Sequence, residues 1–234
     1  FFVFSSCSKE GGCFTSKGES TRQNFSLSEF HAIEIPMNVS VQIIPSDEHK
    51  MEIHSYENII STIQYCISND KLVITQSSDC SMLHSYQNAL IKIYAKNIHT
   101  IESKTQFSVT SLDTITYPYL TLKTSFPTES ASTHFDLIVD NESVYVEDNQ
   151  VGFFKLSGKT KKLEAKLFGG NGEVNARDLV ADAVAIYHRS NQNIHVKPIK
   201  VLDAIIGSVG NVYVYQIPDS VKVERLYSGD IIYK

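Results

Sequence analysis

The chain has 234 residues, 42% of them hydrophobic and 20% charged, with a formal net charge of −5. This composition excludes a disordered chain, and the acidic balance excludes a nucleic-acid surface, which needs concentrated positive charge. Twelve Tyr, twelve Phe and no Trp, beside many Val, Ile and Thr, favour strands, in one elongated β-domain or two small ones.

The chain opens on Phe1-Phe2-Val3-Phe4-Ser5-Ser6-Cys7. That apolar run is too short to span a bilayer, which takes roughly 20 residues. It resembles the end of a secretory signal running into a lipoprotein cleavage box, with cleavage before Cys7 and lipid on its thiol. Each buried lipid CH2 contributes about 0.8 kcal/mol, so several acyl chains would hold the protein to a membrane. Residues 1–7 thus read as a signal-peptide remnant and 8–24 as a polar linker. Cys13, Cys66 and Cys80 fit no zinc or CxxC spacing. Cys66 and Cys80 are candidates for a disulfide across the hairpin between them. Cys66 reads equally well as a small buried hydrophobe.

From Phe25 the pattern tightens. Val39-Ser40-Val41-Gln42-Ile43 and Met51-Glu52-Ile53-His54-Ser55 alternate around a polar turn and predict an antiparallel hairpin. Ile59, Ile60 and Ile63 would share a face of one short helix. Residues 65–67 and 71–75 predict a second hairpin over Ser68-Asn69-Asp70, and residues 77–88 a polar loop. From Leu90 the chain becomes a succession of short alternating strands.

The last third carries a repeat. Its apolar anchors Val174, Ile194, Val212 and Ile231 are spaced by 20, 18 and 19 residues (194−174, 212−194, 231−212). A period near twenty with period-two alternation inside each copy predicts stacked coils of a solenoid. Gly210-Asn211 and Gly229-Asp230 read as coil corners needing positive φ. A strand follows each of them, which argues against a phosphate-binding loop, where a helix would follow. The predicted fold is all-β, parallel β-helix-like with short irregular coils, plus N-terminal β-hairpins and one short helix.

The stretches Phe25 to Ile35 and Leu156 to Leu167, and the worn turns Phe168-Gly169-Gly170-Asn171-Gly172-Glu173, Ile206-Gly207-Ser208-Val209-Gly210-Asn211 and Leu226-Tyr227-Ser228-Gly229-Asp230, resemble the bacterial putative auto-transporter adhesin family, head GIN domain. The family repeats a Ser-Gly-Ser-Gly-Asp turn before each strand; Ser190-Asn191-Gln192-Asn193 has lost its glycines. The resemblance covers about residues 22–234 and is weakest over 77–150. It implies a parallel β-helix-like fold over 25–234, with a hairpin part at 25–90 and a stacked-coil part at 91–234. It also implies a secreted or lipid-anchored protein of a Gram-negative bacterium, in the periplasm or at the cell surface, with no established reaction.

Chemistry is sparse. Glu173 and Asp230 occupy equivalent repeat positions three coils apart, about 14 Å at roughly 4.8 Å per coil, too far to cooperate as a glycosidase pair. Asn193 and Asn211 between them predict turn hydrogen bonding. Asp140, Glu142, Glu147 and Asp148 could offer oxygens to Ca²⁺ but read first as solvated turns. His188 and His195 lack a third ligand for zinc, and no nucleophile elbow is present. Tyr187, Tyr213, Tyr215 and Tyr227 could form a stripe that stacks on sugar rings, or a plain cross-strand ladder. The reading is a non-catalytic, cofactor-free binding or adhesion module of the cell envelope, with a glycan or cell-surface protein as partner and a homo-oligomer allowed. A polysaccharide-active enzyme and a self-associating structural protein are the alternatives.

Overall fold

A computed structural model describes residues 18–77, 89–124 and 132–234. Cys7, Cys13, Cys80 and all but the first residue of the 77–88 loop lie outside them. In chain order the elements are β1 (Ser20–Ser26), β2 (Ala32–Ile35), β3 (Val39–Pro45), β4 (Lys50–Tyr56), α1 (Glu57–Ile60), β5 (Ile63–Ser68), β6 (Lys71–Gln76), β7 (Ala89–Ala95), β8 (Thr100–Ser103), β9 (Ser108–Ser111) and β10 (Tyr119–Thr124). Then come the long strands β11 (His134–Asp148), β12 (Phe153–Leu167), β13 (Glu173–His188) and β14 (Ile194–Ile206), and the short β15 (Val212–Val214), β16 (Ser220–Arg225) and β17 (Ile231–Tyr233).

These strands form a β-solenoid of about six turns. Each long strand bends at its middle and serves two sheets. Residues 173–176 of β13 pair in parallel with β12 and β14 in a first sheet, and residues 183–188 pair with the later halves of the same two strands in a second. The first sheet runs β1, β4, β7, β3, β9, the leading halves of β11 to β14, β15 and β17. The second runs β5, β6, β2, β8, β10, the trailing halves of β11 to β14, and β16.

Inward side chains stack in columns because parallel strands in register bring equivalent positions together. Val174, Ile194, Val212 and Ile231 are successive register partners, so the period read from the sequence is the rung spacing of the first sheet. The same column runs back through Phe154, Phe135 and Val109, and all but Ile231 are buried. The rings of Phe135 and Phe154 stack with centroids 5.1 Å apart and 7° between planes. In the second sheet Val146, Ala165, Ile186 and Ala204 alternate large and small along one column, which lets the two inner faces interdigitate.

At the N-terminal end, α1 forms as a single turn over Glu57–Ile60; Ile63, expected on its apolar face, begins β5 instead, and β5 and β6 close the predicted hairpin. Asn69 (φ 50°) and Asp70 (φ 64°) take the left-handed conformation a two-residue turn requires. The other expected hairpin does not form. β3 pairs in parallel with β7 and β9, while β4 pairs antiparallel with β7 and β1, so β7 lies between the two strands. Parallel placement buries Val39, Val41 and Ile43 between two neighbours. β2 likewise lies between β6 and β8, so the parallel stack takes in residues 32–45 as well as the later coils.

The corners also differ from expectation. Gly210 and Gly229 are not among the residues with positive φ. A Cβ on Gly210 would overlap the Gln192 carbonyl oxygen of the preceding coil, and one on Gly229 the Gly210 carbonyl oxygen. Close approach of stacked corners, not left-handed backbone, excludes side chains there. The expected asparagine ladder is present. The Asn211 N–H donates to Asn193 Oδ1 and the Asp230 N–H to Asn211 Oδ1, each at 3.0 Å.

Candidate functional site

With the alternate residues committed to the core, the outward positions of the coils carry any chemistry. On the second sheet the outward columns are Tyr145, Glu164, Ala185, Asp203, Lys222 and Glu147, Lys166, Tyr187, Ile205, Glu224. Ala185 stands between two larger neighbours and leaves a dent. That dent is the floor of a pocket of about 380 Å³ lined by Glu164, Lys166, Phe168, Tyr187, Asp203 and Ile205. Phe168 leads out of β12, and its ring meets Tyr187 at 5.7 Å between centroids and 49° between planes. Two rings meeting at an angle make an apolar wall, and two carboxylates and an ammonium make the polar rim, a composition suited to small-ligand recognition.

The rim is electrostatically settled. Glu164 accepts hydrogen bonds from Lys162 (2.7 Å) and Lys166 (3.0 Å), and these two ammonium groups hold its carboxyl below the usual range against its partial burial. Lys166 also lies 5.4 Å from the Tyr145 ring centroid, and the Tyr145 hydroxyl donates to Glu147 at 2.8 Å. Asp203 lies two rungs from Glu164, about 10 Å along the sheet. Carboxylates so spaced can accept hydrogen bonds from a polyol, but an ionised Glu164 has no proton to donate to a leaving group.

The four tyrosines do not share one stripe. Tyr187 is in the pocket. Tyr213 and Tyr215 stand on the outer side of the first sheet, in a ladder with His195. The His195 ring stacks on Tyr213 (4.9 Å, 9°) and its Nδ1 is 3.0 Å from the Tyr215 hydroxyl oxygen. Lys234 covers Tyr213 at 5.2 Å and Arg177 covers Tyr215 at 5.5 Å. Those faces are occupied by protein, which makes this group a cross-strand ladder. Tyr227 is exposed in the turn after β16.

The acidic positions considered for Ca²⁺ are also dispersed. Asp140 pairs with Lys159 (3.1 Å) and Glu142 with Lys161 (2.6 Å) of the next coil, so lysines of β12 neutralise these two carboxylates of β11. Glu147 faces Lys123 at 3.5 Å. Asp148 points inward. Its buried carboxylate accepts from the Thr124 hydroxyl and from the N–H groups of Gln150 and Gly152, while burial raises its pKa. Among the described residues no three His, Cys, Asp or Glu side chains converge on a metal position. Cys66 is exposed on β5. No helix among the described residues is long and apolar enough to cross a membrane.

The class these features define is a β-solenoid with its candidate site on the outer face of a sheet, where stacked coils hold the lining residues. The family model for the putative auto-transporter adhesin, head GIN domain, matches residues 29–218. The chain belongs to that family. Its fold is similar to that of a putative adhesin from Bacteroides fragilis NCTC 9343, with TM-score 0.82 and 17% identity, covering 92% of this chain and 97% of that one. It is also similar to a putative lipid binding protein (TM-score 0.64, 14% identity, 92% and 97% covered) and a putative adhesin (TM-score 0.62, 15% identity, 93% and 98% covered), both from Parabacteroides distasonis ATCC 8503. No curated protein matches the chain.

Proposed function

We propose that this protein is a non-catalytic adhesion module of the bacterial cell envelope that binds a saccharide unit in the pocket beside Tyr187. The observation that carries the reading is that pocket, with an angled pair of aromatic rings beside carboxylates and an ammonium. A pyranose offers an apolar C–H face to such a ring and hydroxyls to such a rim. Glu164, kept ionised by two lysines, acts as an acceptor, which favours binding over hydrolysis. Membership of an adhesin family supports placement at the surface. Lipid on Cys7 would tether the module to the outer membrane of a Gram-negative cell through the residues that precede β1, since residues 20–24 of the expected linker are strand.

A glycan array probed with the chain and with Tyr187→Ala tests the reading. Hits that lose about tenfold or more in affinity in the variant support it, in line with the roughly 1.5–3 kcal/mol of a buried apolar or aromatic contact. Hits unaffected by Tyr187→Ala would remove the pocket from the account. For the tether, Cys7→Ser should release the protein from the membrane fraction of expressing cells; retention there would refute lipid anchoring.

A further inference from the structure

The charges that line the pocket beside Tyr187 are not equally matched. One carboxylate oxygen of Glu164 faces Lys162 at 2.7 Å and the other faces Lys166 at 3.0 Å. Lys166 is engaged in turn by Glu164 and by the Tyr145 ring. Asp203 is the lining charge left over. Among the described residues its carboxylate accepts no hydrogen bond, and its one cation, Lys222, stays 3.8 Å away on a side chain 81% exposed. An ion pair of that kind contributes little in water. Ala185, between Glu164 and Asp203 in the same outward column, keeps the approach to Asp203 open.

The rings of the pocket differ from their neighbours in the same sense. Four outward tyrosines are each covered by a cation of the chain: Tyr94 by Lys50 at 4.2 Å, Tyr145 by Lys166, Tyr213 by Lys234 and Tyr215 by Arg177. Among the described residues Phe168 and Tyr187 have no such cation, and the Phe168 side chain is exposed. Two angled rings beside a carboxylate without a donor suit an ammonium group. The ring faces attract its charge and the carboxylate accepts its N–H bonds. A neutral hydroxyl would use only the carboxylate. The carboxylate of an acidic sugar would meet Asp203 as a like charge.

From these two features we infer that the ligand is an amino sugar, held with its free ammonium against Asp203 and the Phe168–Tyr187 rings, and that Asp203 sets the preference for it. The inference rests on the saccharide reading and adds to it the charge of the sugar.

Isothermal titration of the chain with three β-1,4-linked tetrasaccharides tests it: tetra-glucosamine, tetra-N-acetylglucosamine and cellotetraose. They differ only in the group at C2, which is an ammonium, an acetamide or a hydroxyl at a mildly acidic pH. Tetra-glucosamine should bind about tenfold more tightly than the other two, and added salt should shrink the difference. Asp203→Asn, at an exposed position, should bring the three affinities together with an unchanged far-ultraviolet circular dichroism spectrum, whereas Tyr187→Ala should weaken all three. Equal affinities that still depend on Tyr187 would overturn the inference and leave the saccharide reading standing. A preference that survives Asp203→Asn would overturn it too. Choline or a lysine peptide bound as tightly through Asp203 would overturn both readings, since the pocket would then read an ammonium without a sugar. Binding of none of the three would overturn the inference, with the saccharide reading left to the array hits.

Discussion

His188 is wholly buried beneath the corner that contains Gly210, and burial pulls its pKa down to about 4. Well above pH 6.5 the ring is neutral in both folded and unfolded chains, and stability is unaffected. As pH falls from there towards 4, the unfolded chain takes up a proton that the folded one refuses, so stability is lost across that window. The loss is roughly 2–3 kcal/mol by pH 4.5. Asp148, whose raised pKa favours a protonated folded state, acts in the opposite sense. The expected result is therefore a difference: urea unfolding at pH 7 and pH 4.5 should show a smaller acid loss in His188→Gln than in the parent. Equal losses would mean that His188 is protonated in the folded state. Gly210→Ala should cost about 1–3 kcal/mol through forced displacement of the neighbouring corner, read as a lower urea midpoint.

At the scale of the element, a coil contributes one rung to each sheet, and its inward residues are stable only against the rungs beside it. Phe154 lies between Phe135 and Val174 in the core column, and Phe154→Ala should cost about 3–5 kcal/mol. Differential scanning calorimetry should record this as one lowered transition; an unchanged midpoint would contradict a continuous core. The columns were legible in the sequence because Val174, Ile194, Val212 and Ile231 recur near twenty residues apart and alternate with polar neighbours. The partner of each N-terminal strand was not legible. A period of two is the same in an antiparallel hairpin and a parallel rung, and β3 takes partners at residues 89–95 and 108–111 that no local signal announces. The pocket escaped for a related reason. Glu164, Ala185 and Asp203 are 21 and 18 residues apart (185−164, 203−185) and become neighbours only through register shifts in β12, β13 and β14. Lys166, Tyr187 and Ile205 recur at the same near-twenty spacing on the outward side that the anchors keep on the inward side.

At the scale of the whole molecule, the first sheet counts eleven strands from β1 to β17 among the described residues, or about 48 Å at roughly 4.8 Å per step. β1 (Ser20–Ser26) begins inside the stretch expected as a linker and pairs with β4 at one end of this sheet. The pocket beside Tyr187 lies part-way along the stack, on the outer face of the second sheet.

The central claim is that the pocket beside Tyr187 binds without cleaving. Its most direct test is isothermal titration of the best array hit into the chain and into Tyr187→Ala, with chromatography of the saccharide after prolonged incubation. The account predicts saturable binding that Tyr187→Ala abolishes or weakens at least tenfold, and a saccharide recovered intact. Shortened saccharide that disappears with Glu164→Gln or Asp203→Asn would contradict it and make the two rim carboxylates catalytic.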